Sequence, residues 1–147
     1  EREAVALLNV DGSLDTSFGD STPPGFQGIE FNSIAIQPDG KIAVAGTAKR
    51  RIGARPNFAV ARYESGGALD NSFGGDGKVV IESGTSEGFG LAIQPDGKLV
   101  IAGYELNITS GTQANFVVVR INSDGTLDAT FDGDGKAITD FLAGNDI

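Results

Sequence analysis

"IQPDGK" stands at Ile36–Lys41 and again at Ile93–Lys98, and the reading of these six residues decides the fold. Proline sets φ for the second position of a type I turn. Aspartate tolerates the third position, and glycine supplies positive φ at the fourth. Pro38-Asp39-Gly40 and Pro95-Asp96-Gly97 are therefore expected to be hairpin turns with a glycine bulge. The first joins "FNSIAIQ" (Phe31–Gln37) to "KIAVAGT" (Lys41–Thr47). The second joins "FGLAIQ" (Phe89–Gln94) to "KLVIAGY" (Lys98–Tyr104). The repetition reads as turn chemistry rather than as a catalytic signature.

Further echoes extend the pattern. "DGSLDTSFG" (Asp11–Gly19) returns as "GGALDNSFG" (Gly66–Gly74) and as "DGTLDATFD" (Asp124–Asp132). An apolar run precedes each: "AVALLN" from Ala4, "FAVARY" from Phe58, "FVVVRI" from Phe116. Val5, Val60 and Val118 are equivalent, as are Leu14, Leu69 and Leu127, and Phe18, Phe73 and Phe131. The chain thus holds about two and a half copies of a unit of 55–58 residues. We divide its single repeat domain, 1–147, into the end of one repeat (1–18), two repeats (19–73 and 74–131) and the start of another (132–147).

The clearest copy contains "KVVIE" (Lys78–Glu82), "FGLAIQ", "KLVIAGY" and "NFVVVRIN" (Asn115–Asn122), each bounded by Gly, Pro, Asp or Ser. Such runs are strands, and no helical spacing competes with them. Four strands in succession form an antiparallel meander, so the fold class is all-β with β-propeller-like blades. A stacked β solenoid is the alternative. Leu127 and Phe131 are four residues apart and are expected to be buried together as a plug between units.

Composition excludes several functions. With no Cys and no His among 147 residues, disulfides and Ser/His or Cys/His nucleophilic mechanisms are out of reach. The net charge of −9 argues against nucleic acid, whose phosphates need clustered Lys and Arg. No apolar run is long enough for a membrane-spanning helix, so membrane insertion is not expected. The 20 acidic residues allow a carboxylate pair in principle, but nothing singles out two, and no enzyme activity is expected. The start at Glu1-Arg2-Glu3, without initiator Met or signal peptide, is expected of a processed chain or of a piece of a longer one.

Links between strands alternate between two ends of a blade. One end repeats closely, whereas the other varies, as in "TAKRRIGARP" (Thr47–Pro56) against "YELNITSGTQA" (Tyr104–Ala114). Variable loops carry function more often than repeated ones. Lys49, Arg50, Arg51 and Arg55 lie there and form the candidate ligand site, for an acidic glycan, a phosphate or an acidic protein, or else a solvated loop. Asp128, Asp132 and Asp134 offer oxygens for Ca²⁺, yet the EF-hand spacing breaks, with Thr139 at its twelfth position. Turn chemistry accounts for these aspartates, and no cofactor is expected.

The set "LDNSFG", "GDGK", "AIQPDGK" and "NFAVARY" resembles the delta-sixty repeat, a bacterial repeat of roughly sixty residues, over nearly the whole chain. The resemblance implies propeller-like blades, no catalytic residues, and a secreted or surface protein with many copies. "GDSTPPG" (Gly19–Gly25) departs from the repeated "GGDGK". The expectation is a non-enzymatic structural or adhesive module, extracellular or on the cell surface. The alternative is a propeller fragment that recognises an acidic glycan or protein through its variable loops. Two and a half blades cannot close a ring, so self-association or contact with neighbouring repeats of a longer chain is expected. Glu1–Val10 and Lys136–Asp140 would then pair head to tail into a shared blade.

Overall fold

A computed structural model describes residues 6, 8–16, 29–49, 55–82, 85–107 and 113–140. Eight strands follow in order: β1 (Ile29–Ile36), β2 (Ile42–Ala48), β3 (Asn57–Tyr63), β4 (Lys78–Ile81), β5 (Thr85–Ile93), β6 (Leu99–Asn107), β7 (Gln113–Ile121) and β8 (Lys136–Thr139). They form two four-stranded sheets, β1-β2-β3-β4 and β5-β6-β7-β8, antiparallel throughout. The sequence contains the reasons. The strands are β-branched and aromatic, and each "PDG" closes a hairpin by the expected bonds. Gly40 N donates to Gln37 O and Gln37 N to Lys41 O, at 2.9 and 2.8 Å, with Gly40 at φ +86°. The same pair of bonds recurs at Gln94–Lys98. It recurs again at Asn9–Ser13, Glu64–Ala68 and Asn122–Thr126, so these links are turns of the same type.

Alternation sorts each sheet into two faces. In the first sheet, Ala43, Ala45, Phe58, Val60 and Arg62 share the front face by cross-strand register. In the second, Leu99, Ile101, Val117, Val119 and Ile121 share the back face. The front of the first packs on the back of the second, and this contact is the main core. Phe73 lies wholly buried within it. A smaller cluster lies on the back of the first sheet, where Ile42, Val44 and Ala61 are buried, with Phe31, Tyr63 and Leu69 packed against them.

Repeat equivalence and packing agree. Phe58, Val60 and Arg62 on the first front correspond to Phe116, Val118 and Arg120 on the second front, and the contact joins unlike faces. Its closest approach is at glycine. A Cβ on Gly103 would lie 2.6 Å from Phe58 Cε1 and would also strike the Glu87 carbonyl, while one on Gly88 would lie 2.9 Å from Phe58 Cδ1. Phe58 therefore seats on a floor of bare backbone. Bulges at Asn32 in β1 and Phe89 in β5 lie at equivalent places and re-aim those side chains. Asn32 Nδ2 donates to Gly88 O of the second sheet at 2.8 Å.

Two expectations need correction. The run Lys78–Glu82, expected to open its unit, pairs instead as β4 with β3 of the preceding copy. Lys136–Thr139 likewise completes the second sheet through β7 and is not the unpaired start of a shared blade. The cause is the loop after β3, which is bonded back onto its own strand: Arg62 N donates to Gly77 O and Asp70 N to Arg62 O, so Lys78 arrives beside β3, and Arg120 N to Gly135 O does the same for Lys136 beside β7. The expected plug of Leu127 and Phe131 is not buried either: Leu127 is exposed and Phe131 half-buried, although Phe73, the equivalent of Phe131, is fully buried between the sheets.

The glycine floor is open to test. Gly103→Ala should cost about 1–3 kcal/mol by overpacking. Gly90→Ala, whose Cβ would meet only Ala102 Cβ at 3.9 Å, should be near neutral. Urea unfolding midpoints of the two variants, compared with the parent chain, read the difference.

Candidate functional site

The links that repeat most closely converge at one end of each sheet. There the chain gathers charged residues that the turn motifs had partly hidden. β3 carries Arg62 one residue before its end, the following turn presents Asp70 and Ser72, and the "PDG" hairpin delivers Lys41. Arg62 Nε donates to Asp70 Oδ2 at 2.6 Å, and Lys41 Nζ donates to the same oxygen at 2.8 Å. Lys41 also reaches Glu64 Oε1 at 2.8 Å. The other oxygen, Asp70 Oδ1, accepts from Ser72 N at 3.0 Å and from Ser72 Oγ at 2.6 Å. The guanidinium carbon of Arg62 lies 4.6 Å from the centroid of the Phe73 ring.

One bond leaves this cluster for the next sheet. Arg62 Nη1 donates to Ser123 O at 2.6 Å, in the turn that follows β7. Beside it, Gly74 N donates to Asp124 O at 2.9 Å. The cluster is a clamp between successive sheets, with an arginine held by its own sheet and a carbonyl offered by the next.

The second copy rebuilds the clamp. Arg120 Nε donates to Asp128 Oδ2 at 2.7 Å, Lys98 Nζ lies 3.0 Å from the same oxygen, and Arg120 Nη2 donates to Thr130 Oγ1 at 3.1 Å. Its guanidinium lies 4.7 Å from the Phe131 centroid. The Arg120 side chain is 20% exposed, however, where that of Arg62 is 6% exposed.

The chemistry of the clamp follows from its charges. Burial pushes the Asp70 carboxyl up, but hydrogen bonds from Lys41, Ser72 and Arg62 outweigh it and hold the group well below the ordinary carboxylate value. Asp128 is held low by the Thr130 hydroxyl first, against burial, with Lys98, the Thr130 backbone N–H and Arg120 adding to the effect. Neither aspartate is a proton donor near neutral pH. Both oxygens of each are already engaged, so Asp128 is not presented to Ca²⁺. No group of three or more acidic residues suited to a metal occurs among the described residues.

The ligand site expected from sequence lies at the other end. Lys49 and Arg55 flank the β2–β3 link and are exposed, and no ion pair engages them among the described residues. Arg50 and Arg51 lie outside the described residues. At the same end of the second sheet, Glu105 and Asn115 are cross-strand partners. Glu105 Oε2 and Asn115 Oδ1 are buried without a donor among the described residues. Sequence reasoning missed the clamp, although its signal was there. Lys41/Lys98, Arg62/Arg120 and Asp70/Asp128 are charges that recur in phase with the repeat.

Four-stranded antiparallel meanders in series, stacked front to back through a repeated clamp, define a protein of the β-propeller repeat class. The chain belongs to the β-propeller family described as a domain of unknown function (DUF5122), whose model matches residues 1–18, 37–73 and 94–131. Every residue of both clamps falls inside the matched segments. No curated protein and no solved structure matches the chain.

The clamp carries a pH signature. Because the folded pKa values of Asp70 and Asp128 lie below the ordinary aspartate value of 3.8, their contribution to stability is complete above it and is lost as pH falls below it. Urea midpoints measured from neutral pH downward should stay level and then drop below about pH 4. Asp70→Asn should lower the plateau and flatten the drop.

Proposed function

We propose that the chain is a non-enzymatic structural or adhesive repeat module of the delta-sixty type, part of a bacterial extracellular or surface protein and able to assemble head to tail. The observation that carries this reading is the use made of the repeated charges. Arg62, Asp70 and Lys41 are consumed in joining one sheet to the next rather than aimed into an open cleft. A carboxylate held ionised with both oxygens engaged has no role in acid–base hydrolysis. The absence of His and Cys points the same way. The placement outside the cell rests on the resemblance of the repeat motifs.

Light scattering on a sizing column, across a concentration series, tests the assembling reading. Mass is expected to rise with concentration, and to rise more in higher salt, because each copy carries −9 and screening reduces the repulsion. A mass fixed at one chain throughout would overturn the head-to-tail reading.

A second reading is favoured by the exposed cations Lys49 and Arg55 at the variable end. On it, the loop recognises an acidic glycan or protein. Retention on heparin-type anionic glycan should then fall several-fold in Lys49→Ala/Arg55→Ala, in line with a salt-screened surface contact. Equal retention of parent and variant would dispose of it.

A further inference from the structure

Asp-Gly pairs punctuate the turns of this chain, beginning at Asp11, Asp39, Asp76, Asp96, Asp124, Asp132 and Asp134. All but one are held alike. In those, the Asp Oδ1 accepts from the backbone N–H two residues on, at 2.9–3.2 Å. The amide of the glycine is engaged as well, on a carbonyl upstream: Gly12 N donates to Asn9 O, Gly77 N to Phe73 O and Gly135 N to Phe131 O, and the remaining turns follow suit.

Asp132–Gly133 is the exception. Both residues are exposed, and among the described residues no hydrogen bond or ion pair engages the Asp132 carboxylate or the Gly133 amide. Asp132 is also the only non-glycine at positive φ among the described residues, at 52°, a backbone region that strains an L-residue. Its counterpart in the preceding copy is Gly74, at φ +65°, where a Cβ would strike the Lys78 carbonyl. The loop at the joint between the sheets thus uses glycine where the outer loop carries aspartate.

We propose that Asp132–Gly133 is a modification site, where aspartate isomerises spontaneously to isoaspartate. The Gly133 nitrogen attacks Asp132 Cγ. An N–Cγ bond forms, a Cγ–O bond breaks, and the carboxyl hydroxyl departs as water with the amide proton. Water then opens the cyclic imide. Addition at Cγ restores aspartate, whereas addition at the Asp132 carbonyl carbon leaves the main chain running through Cβ and Cγ. The water lost is regained, so no other reactant is needed. At the other Asp-Gly pairs the same attack must first break the bond that pins Oδ1 and the bond that holds the glycine amide. At Asp132 neither stands in the way, and rotation out of the left-handed region releases strain rather than adding it. The product adds a carbon to the main chain of a loop pinned by Phe131 N on Asp128 O, Gly135 N on Phe131 O and Arg120 N on Gly135 O. Its formation is expected to loosen β8 from β7.

Arg120 and Lys136 bound a tryptic peptide, Ile121–Lys136, that carries Asp124, Asp132 and Asp134 together. The intact chain is incubated for weeks at body temperature, folded and, in parallel, unfolded in guanidinium chloride. It is then digested, and isoaspartate in that peptide is located by electron-transfer fragmentation. In the folded chain, isoaspartate at Asp132 should exceed that at Asp124 and at Asp134 several-fold. In the unfolded chain the three should become comparable. Asp132→Gly should abolish the signal of the folded chain without raising one at Asp134. Accumulation in the folded chain no greater at Asp132 than at the other two would overturn the proposal. A preference for Asp132 that survives unfolding unchanged would overturn it equally, because the folded loop would then have no part in it.

Discussion

The guanidinium of Arg62 is the constraint on which the arrangement of the two sheets depends. One planar group binds the Asp70 carboxylate through Nε, the Ser72 hydroxyl through Nη2, the Ser123 carbonyl through Nη1 and the Phe73 ring through its face. Lysine has no fork and no flat face, and satisfies at most part of this set. Asp70 is in turn fixed by Lys41 and Ser72, so the orientation of the arginine is determined before the next sheet arrives. A buried ion pair of this kind is a poor source of net stability. Losing one partner is nonetheless costly, at about 3–5 kcal/mol, because the other charge is stranded. The clamp therefore serves specificity, selecting one stacking geometry among many apolar ones.

Around that polar end, close packing does the rest. Phe58 rests on Gly88 and Gly103. On the Gly125 turn, a Cβ would come within 2.6 Å of Gly74 N, so the second sheet's turn also meets the first sheet through bare backbone. Small residues at these places let large ones, Phe58 and Phe73, bury completely in the interface. The bulge in β1 serves the same contact by turning a polar Asn32 toward the next sheet, whereas the bulge in β5 places Phe89 against Tyr104 of its own sheet, with ring centroids 5.6 Å apart.

Much of this was legible in the residues. The "PDG" turns, the strands on either side and the all-β meander follow from local chemistry, because φ at Gly40 and Gly97 is set by neighbours in sequence. Strand partnership was less legible. "KVVIE" lies much nearer in sequence to the following strand than to the preceding one, and only the backbone bonds that fold the loop after β3 onto Arg62 decide for β3. The clamp was harder still. Lys41, Arg62 and Asp70 are 8 to 29 residues apart, and as single letters they read as solvated charges. What separates them from such charges is recurrence in phase, which has meaning only once the sheets are stacked. The cationic loop shows the converse, a cluster conspicuous in sequence at once because its charges are close neighbours there.

The acceptor in the clamp is a main-chain carbonyl, and that has a bearing on how such chains diversify. Every amino acid supplies a carbonyl, so the residue at Ser123 is free to drift without unmaking the joint; Val10 already stands at this turn where the other two copies have Ser65 and Ser123. Only the arginine side carries information in its side chains. A duplicated stretch of coding sequence thus arrives ready to be joined, needing no matched change in its neighbour, and the number of copies can grow or shrink by whole units while each copy diverges at its other end.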